Sequence, residues 1–264
     1  MRSAAQRLRL LFPDNQIPII PVLGNHDVHP ANVLEVGESA AAQERLEWCG
    51  LLATDRELWA DWIALGQPDP APNATRNSSE VFTTGCFFSR RVNISEGSSL
   101  VLVSVNGMLW YSNNKKSDPS LPDPAGQFAW LEATLLRARE SNTKVLFNVV
   151  LLICHFPPGA TENSPSKYRH FFDNYNERFL TLLRRNADIL IGGLFAHQHT
   201  DTFRVLKKQG KSLIKSAVDL PLCALRLTEG TYAATYINCK TLCISVLFRE
   251  SSTFEETSDG GNRV

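Results

Sequence analysis

The sequence predicts a layered α/β fold, and two observations carry that prediction. Apolar runs at 144–154 and 189–195 show no polar alternation, which is typical of strands that are covered on both faces. Segments with helical spacing stand between and before these runs, and strands that alternate with helices at these lengths indicate a sheet flanked by helices. In such a fold, polar residues that directly follow the strands are the first candidates for a functional site.

Composition narrows the class further. The chain has 264 residues, of which 43% are hydrophobic, and this is enough to bury a large core. The 27 basic and 27 acidic residues balance, so no charge excess indicates nucleic acid or an anionic membrane as a partner. No stretch reaches the roughly 20 apolar residues of a membrane-spanning helix, so we expect a soluble protein without a transmembrane segment. Nothing in the composition sets an oligomeric state.

The first third of the chain is predicted to be mainly helical. Apolar residues at helical spacing predict a helix over 3–11, and a second helical region is expected over 39–65. Between them, the short apolar run 17–23 predicts a buried strand that delivers a polar loop. Residues 67–79 are rich in Pro, Asn and Ser and predict an exposed loop.

The rest of the chain is predicted to alternate between strands and helices. Strands are expected at 81–88, 99–106, 144–154 and 189–195, and helices at 127–140 and 174–186. A polar, Pro-rich loop is expected at 112–125. After residue 200, shorter segments predict hairpin strands at 202–206, 212–218 and 231–248.

Three polar clusters stand at the carboxyl ends of three of the apolar runs: residues 24–27, 155–159 and 197–199. Four of the six histidines of the chain lie in them. Neutral imidazole and amide oxygen suit zinc, manganese or iron, and none of the clusters contains a cysteine. In an extended His-x-His segment the two imidazoles point to opposite sides and can serve two neighbouring ions, which together can clamp a phosphoryl group.

The clusters have the sequences Gly-Asn-His-Asp, His-x-Pro-Pro-Gly and His-x-His, and in this order they resemble those of the calcineurin-like metallophosphoesterases. The chain is most similar to the acid sphingomyelinase and acid sphingomyelinase-like phosphodiesterase branch. That resemblance rests on segments 123–132 and 195–204, together with Tyr111 and Asn176. It covers roughly residues 15–206.

The resemblance implies a layered metallophosphoesterase β-sandwich flanked by helices and incomplete at its N-terminal side. Residues 1–206 would form this partial domain, 207–250 a divergent segment of hairpin strands, and 251–264 a disordered tail. It also implies a phosphoric diester hydrolase that uses a metal-bound hydroxide. The substrate would be a phosphodiester or phosphomonoester, either a lipid head group or a nucleotide.

The resemblance implies site residues as well, with zinc as the metal and two ions in an intact site. Asn25, His155 and His197 would bind one ion and His199 the other. His26 would donate a proton or stabilise the transition state, and Asp27 would orient its imidazole. Simpler interpretations remain open: a Gly-Asn turn with a surface histidine for the first cluster, and turn capping for Asp27.

The sequence also departs from the family pattern. The family carries Asp-x-His and Gly-Asp motifs upstream, whereas the 23 residues before Gly24 contain Asp14 as their single acidic residue and no histidine. Ala196 replaces the usual glycine before His197. We therefore expect a truncated product or isoform with impaired activity and one partial metal site. The alternative is an inactive fragment that serves, if at all, as a binding module. A zinc peptidase is disfavoured because His-Glu-x-x-His is absent.

The remaining signals concern the compartment. Three glycosylation sequons lie close together, at Asn73, Asn77 and Asn93. Cys49 and Cys86 flank the sequons at Asn73 and Asn77 and could form a disulfide if the chain is secreted, whereas Cys154 is expected to be a buried free thiol. We expect no signal peptide at the N-terminus, and a secreted or lysosomal location is implied by the resemblance. The other two histidines, His29 and His170, are expected at the surface or at the rim of the substrate site.

Overall fold

The computed structural model describes residues 1–13, 17–38, 42–71, 74–95, 98–140, 147–160 and 169–199, and five two-residue strands between 207 and 246. Its centre is a mixed five-stranded sheet in the order β1-β2-β3-β4-β9. These strands are β1 (Phe88–Ser95), β2 (Ser98–Val105), β3 (Phe147–Cys154), β4 (Leu190–Phe195) and β9 (Ser245–Val246). Two small ribbons pair β5 (Lys207–Lys208) with β6 (Lys211–Ser212) and β7 (Leu225–Arg226) with β8 (Ala233–Ala234).

The direction of the strands determines where a site can form. β1 and β2 form an antiparallel hairpin, β2, β3 and β4 run parallel, and β9 returns antiparallel to β4. The carboxyl ends of the three parallel strands therefore meet at one edge of the sheet. Two of the polar clusters predicted from the sequence begin at this edge, directly after β3 and β4.

Among the residues that the structure describes, six α-helices accompany the sheet. Four of them lie in the first third of the chain, and two follow later, between the strands. They are α1 (Arg2–Leu11), α2 (Gln43–Thr54), α3 (Ala60–Ile63), α4 (Ser78–Gly85), α5 (Gln127–Glu140) and α6 (Asp173–Arg185). The predicted apolar face of α5 is buried, at Phe128, Leu131, Leu135 and Ala138. Trp110 stacks on Phe128 with ring centroids 4.3 Å apart, which ties α5 to the segment after β2.

The prediction of a strand over 81–88 is wrong, because α4 occupies most of it. Asn77 and Glu80 form a capping box: Asn77 Oδ1 accepts from the Glu80 backbone N–H at 3.0 Å, and Glu80 Oε2 accepts from the Asn77 N–H at 2.7 Å. This pattern satisfies two N–H groups at the start of a helix and so favours helix over strand. The strand begins after the helix, at Phe88.

Residues 17–23 do not form the predicted strand either. Pro18 and Pro21 have no backbone N–H to donate to a neighbouring strand, so the segment runs beside the sheet without joining it. Ser104 Oγ donates to the Pro21 carbonyl at 2.7 Å and anchors the segment to β2, and Leu23 is fully buried. The segment still carries the first polar cluster to the edge of the sheet.

The single predicted helical region over 39–65 is divided. Asp55, the C-terminal cap of α2, has ψ of 113°, an extended value that ends α2 before α3 begins. Trp59 and Trp62 pack in the core beyond this break.

A disulfide joins Cys49 on α2 to Cys86, the residue that ends α4, with a Cα–Cα distance of 5.2 Å. From the sequence, this disulfide was predicted only for the case that the chain is secreted. Cys154, by contrast, is a buried free thiol, as expected, and burial raises its pKa to about 12. A thiol in this state is inert at neutral pH.

The predicted layered α/β fold with flanking helices is confirmed. The sandwich's second layer stays a prediction, as do the boundaries at 206 and 250, because most of 200–264 falls outside the described residues. For the same reason the hairpin at 202–206 and the tail at 251–264 are not described. Within the described part of the chain, no helix has the length and apolar content that crossing a bilayer requires.

Candidate metal centre

Three side chains that were predicted to share a metal ion meet at the edge of the sheet. Nε2 of His155 lies 2.9 Å from Oδ1 of Asn25 and 3.2 Å from Nδ1 of His197. The third side of this triangle, from His197 Nδ1 to Asn25 Oδ1, is 3.2 Å. Each of the three atoms can act as a metal ligand, and the three lie within 3.2 Å of one another.

The strands position the two histidines. His155 is the first residue after β3 and His197 the second after β4, and β3 and β4 are parallel neighbours. The backbone N–H of Ala196 donates to the His155 carbonyl at 2.9 Å, which holds the two loops together beyond the strands. Adjacent parallel strands thus bring both imidazoles to the same point.

A tight turn positions the asparagine. Asp27 Oδ2 accepts from the Gly24 N–H at 2.8 Å, and the Asp27 N–H donates to the Gly24 carbonyl at 3.1 Å. Within the turn, Asn25 is buried and its Nδ2 donates to Asn32 Oδ1 at 3.0 Å. Because the amide nitrogen is occupied in this way, the amide oxygen faces the two histidines.

Burial makes the two histidines suitable as ligands. It lowers the pKa of His155 to about 3, with further lowering by the charges of His197, His26 and His199. Burial likewise lowers the pKa of His197 to about 4, and the charges of His199 and His26 add to the effect. Both imidazoles are therefore neutral near pH 7, which is the form that binds metals.

The size of the triangle fits a small divalent cation. At the usual Zn–N distance of about 2.0–2.1 Å, two ligand atoms of a tetrahedral site lie about 3.3–3.4 Å apart, and those of an octahedral site about 2.9 Å apart. The observed separations of 2.9–3.2 Å span the lower part of this interval. Two imidazole nitrogens and an amide oxygen are also the donor types that zinc, manganese and iron accept.

The other predicted site residues lie around the triangle. His26 and His199 are exposed; His26 directly follows Asn25 along the chain, and His199 is two residues after His197. Asp27 closes the turn described above, and burial raises the pKa of its carboxyl. The metal, proton-donor and orienting roles of these residues stay predictions. Among the described residues, no group of three or more His, Cys, Asp or Glu side chains could hold a metal, so the triangle depends on the amide of Asn25.

Two residues near the triangle were underestimated from the sequence. His170 was expected at the surface or rim but is only 2% exposed, and its ring centroid is 4.9 Å from that of His197. Asn176 is also buried, and its Oδ1 accepts from the Gly159 N–H at 2.7 Å, which fixes the turn that follows His155. The resemblance had marked Asn176, whereas no pattern marked His170. His29 is exposed, as expected.

Comparison with known proteins adds to this picture. No family model matches the chain. The sphingomyelinase phosphodiesterase C of Dictyostelium discoideum is 32% identical over 196 residues, 74% of this chain and 36% of the relative. The human acid sphingomyelinase-like phosphodiesterase 3b is 27% identical over 223 residues, 84% of this chain and 40% of the relative. The human cyclic GMP-AMP phosphodiesterase SMPDL3A is 27% identical over 214 residues, 81% of this chain and 40% of the relative.

The chain thus spans about two fifths of the length of the curated relatives that it matches. All three relatives are named as phosphodiesterases, and each match covers about three quarters of this chain or more. Together with the α/β sheet and the cluster at its carboxyl edge, these matches agree with the resemblance of the three motifs. Over about three quarters of its length or more, the chain is similar to acid sphingomyelinase-like and sphingomyelinase phosphodiesterases.

Proposed function

We propose that this chain contributes to a metal-dependent phosphodiesterase site. The observation that carries the proposal is the triangle of Asn25, His155 and His197, whose three donor atoms lie 2.9–3.2 Å apart. The phosphodiesterase names of the relatives favour phosphodiester hydrolysis over other metal-dependent reactions.

In this proposal, Asn25, His155 and His197 hold one divalent ion, which we expect to be zinc, and His199 is a ligand of a second. Bound metal would polarise a phosphoryl oxygen and activate water for attack. His26, which is exposed, would donate a proton to the departing oxygen, and Asp27 would keep the turn that carries it closed. The triangle lies at the edge of the sheet, with Asn25 buried and both of its histidines partly buried, whereas His26 and His199 are exposed to solvent, where a substrate would approach.

We further propose that the two metal sites differ in strength. One has three ligands from this chain, whereas the other has only His199 among the residues predicted to bind. We therefore expect one ion to be retained at micromolar protein concentration and the second to be lost. Because the second ion would be lost, we expect this chain by itself to hydrolyse its substrate slowly.

The alternative is that the chain is catalytically inactive and acts as a binding module. It is favoured by the lack of a group of three or more His, Cys, Asp or Glu ligands among the described residues. The two candidates agree on metal binding and differ on turnover.

One experiment separates them. Zinc content is measured by elemental analysis of the purified chain, and hydrolysis is followed with a chromogenic phosphodiester, for the wild type, His155→Ala and the exposed control His29→Ala. About one zinc per chain that is lost in His155→Ala and kept in His29→Ala supports the metal site, and turnover lost in the same variant supports the enzyme. Zinc binding without turnover supports the binding module. No zinc in the wild type refutes both.

The substrate class is also a proposal. The relatives are named for sphingomyelinase-like and cyclic GMP-AMP phosphodiesterase activities, so a lipid head group and a nucleotide are both candidates. Release of phosphocholine from sphingomyelin vesicles and cleavage of a cyclic dinucleotide would be compared at equal enzyme concentration. A preference above tenfold for either would assign the class, and cleavage of neither would leave only the binding module.

A secreted or lysosomal, glycosylated protein is consistent with the disulfide, since such bonds persist in oxidising compartments. Asn77 and Asn93 are exposed, whereas Asn73 lies outside the described residues. The cap at Asn77 engages Oδ1 and the backbone nitrogen, so Nδ2 can still carry a glycan. We expect expression in animal cells to give a mass shift that glycosidase removes. An unshifted mass would contradict this.

A further inference from the structure

We propose that His170 and Gln198 are a pair of positioning residues that hold the metal ligand His197 in place. This inference rests on the proposed metal site and assigns a role to a histidine that no sequence motif marked. The observation behind it is a contact between the two side chains next to His197: His170 Nε2 lies 2.5 Å from Gln198 Nε2.

The segment that carries the ligands needs such a support. Gln198 stands between His197, with φ of 77°, and His199, with φ of 53°. Both values lie in the left-handed region, which residues with a Cβ occupy only at an energetic cost and retain only where surrounding contacts hold them. Two left-handed histidines within three residues therefore require an anchor in the rest of the molecule.

His170 is suited to be that anchor because it is itself fixed. The Ser112 N–H donates to its carbonyl at 2.8 Å, and the neighbouring Phe171 forms an antiparallel bridge with Tyr111. Its side chain is 2% exposed. A rigid backbone and a buried ring give Gln198 a partner that does not move.

The same ring also supports His197 directly. The rings of His170 and His197 meet edge to face, at 4.9 Å between centroids and 88° between planes. The rings of Phe156, 4.6 Å from His197, and Tyr111, 5.6 Å from it, complete the wall. This wall limits rotation of the His197 ring, and the contact between Gln198 and His170 limits movement of the backbone that carries His197. Together they aim Nδ1 of His197 at Asn25 and His155.

A direct prediction follows for two conservative variants. His170→Phe keeps an aromatic ring in the wall, and Gln198→Met keeps the length of the side chain, yet each removes the polar contact. We expect each to weaken zinc binding by about 10–100-fold, the usual effect of losing a residue that orients a metal ligand. Because the two residues act through one contact, the double variant should lose no more zinc affinity than the single variant with the larger loss.

The measurement is competition of the purified full chain with a chromogenic zinc chelator, with His29→Phe and Gln43→Met as exposed controls that repeat the same substitutions. Far-ultraviolet circular dichroism checks that each variant is folded. Wild-type affinity in both single variants would refute the proposal. The proposal would also be refuted if the fold losses of zinc affinity multiplied in the double variant, because two independent packing defects would give that result.

A second readout needs no metal. In the zinc-free protein labelled with ¹⁵N-histidine, the ring signals of His197 should shift in Gln198→Met and remain in place in Gln43→Met. If the wild type binds no zinc, the proposed function fails while this measurement still decides the positioning role. An unshifted His197 signal in Gln198→Met would refute it.

Discussion

Replacing Gly24 by alanine tests the metal centre with a single methyl group. A Cβ at this position would lie 3.0 Å from Nδ1, 3.1 Å from Cε1 and 3.2 Å from Cγ of the His155 ring. Ordinary contacts between such atoms begin at about 3.5 Å, so the ring must retreat by roughly 0.5 Å. The backbone of Gly24 is not in the left-handed region, so alanine adds no strain of that kind.

The size of the effect follows from that displacement. Metal sites tolerate shifts of about 0.2 Å in ligand distance, and the retreat of the ring exceeds this. We expect zinc affinity to fall by about 10–100-fold, equivalent to about 1.4–2.7 kcal/mol. Overpacking should also lower the free energy of unfolding by about 1–3 kcal/mol.

The assay is chelator competition for zinc affinity and urea denaturation in the presence of EDTA for stability. Gly50→Ala is the matched control. Gly50 lies within α2, and a Cβ there would meet only Cγ2 of Thr83, at an ordinary contact distance of 3.6 Å. That control should keep wild-type affinity and gain up to about 1 kcal/mol of stability. If Gly24→Ala binds zinc like the wild type while His155→Ala does not, the rigid placement of the His155 ring is refuted.

Three further predictions concern the fold. Reducing the bond between Cys49 and Cys86, which are 37 residues apart, should lower the free energy of unfolding by about 3.8 kcal/mol, and the Cys49→Ala/Cys86→Ala variant should show no response to reductant in the same urea titration. A wild type that is equally stable in both states would contradict the cross-link. Asn77→Ala removes the cap of α4 and should cost about 1 kcal/mol in bacterial protein, whereas Ser79→Ala removes the same sequon without touching the cap and should cost nothing measurable. Equal losses would point away from capping. Burial raises the pKa of Tyr175 to about 12, above its ordinary value of about 10, so its contribution to stability is complete below pH 10 and is lost as pH rises towards 12. Tyr175→Phe should be less sensitive to pH in this window, and an unchanged alkaline profile would contradict the shift.

The elements that the sequence predicted well are those whose signal is local and unbroken. The helix 127–140 was predicted with the bounds of α5, and the runs before His155 and His197 appear as β3 and β4. Each of these has either a regular apolar face or a continuous apolar run, which neighbouring residues determine without help from the rest of the chain.

The errors have equally physical causes. The run from Val81 to Phe88 is apolar enough for a strand, but the capping box at Asn77 and Glu80 starts a helix there, and such a box outweighs short apolar runs. In 17–23 the apolar content suggested a strand, whereas two prolines remove the donors that a strand needs. Both signals are local and stand in the sequence itself, at Asn77 and Glu80 and at the two prolines.

The candidate site divides in the same way. The positions of Asn25, His155 and His197 could be predicted because each belongs to a polar motif that follows an apolar run. The burial of His170 could not, because it arises from contacts with Tyr111, Phe156 and His197. No local pattern records contacts of this range.

The three donors of the triangle are far apart along the chain. His155 is 130 residues from Asn25, and His197 is 172 residues from Asn25. Closing loops of this length costs entropy that only the completed sheet offsets, so the triangle can assemble only late in folding. A cation captured there would then bind the native chain in preference to partly folded ones, so its concentration would shift the balance between them and with it the exposure of the chain to proteolysis.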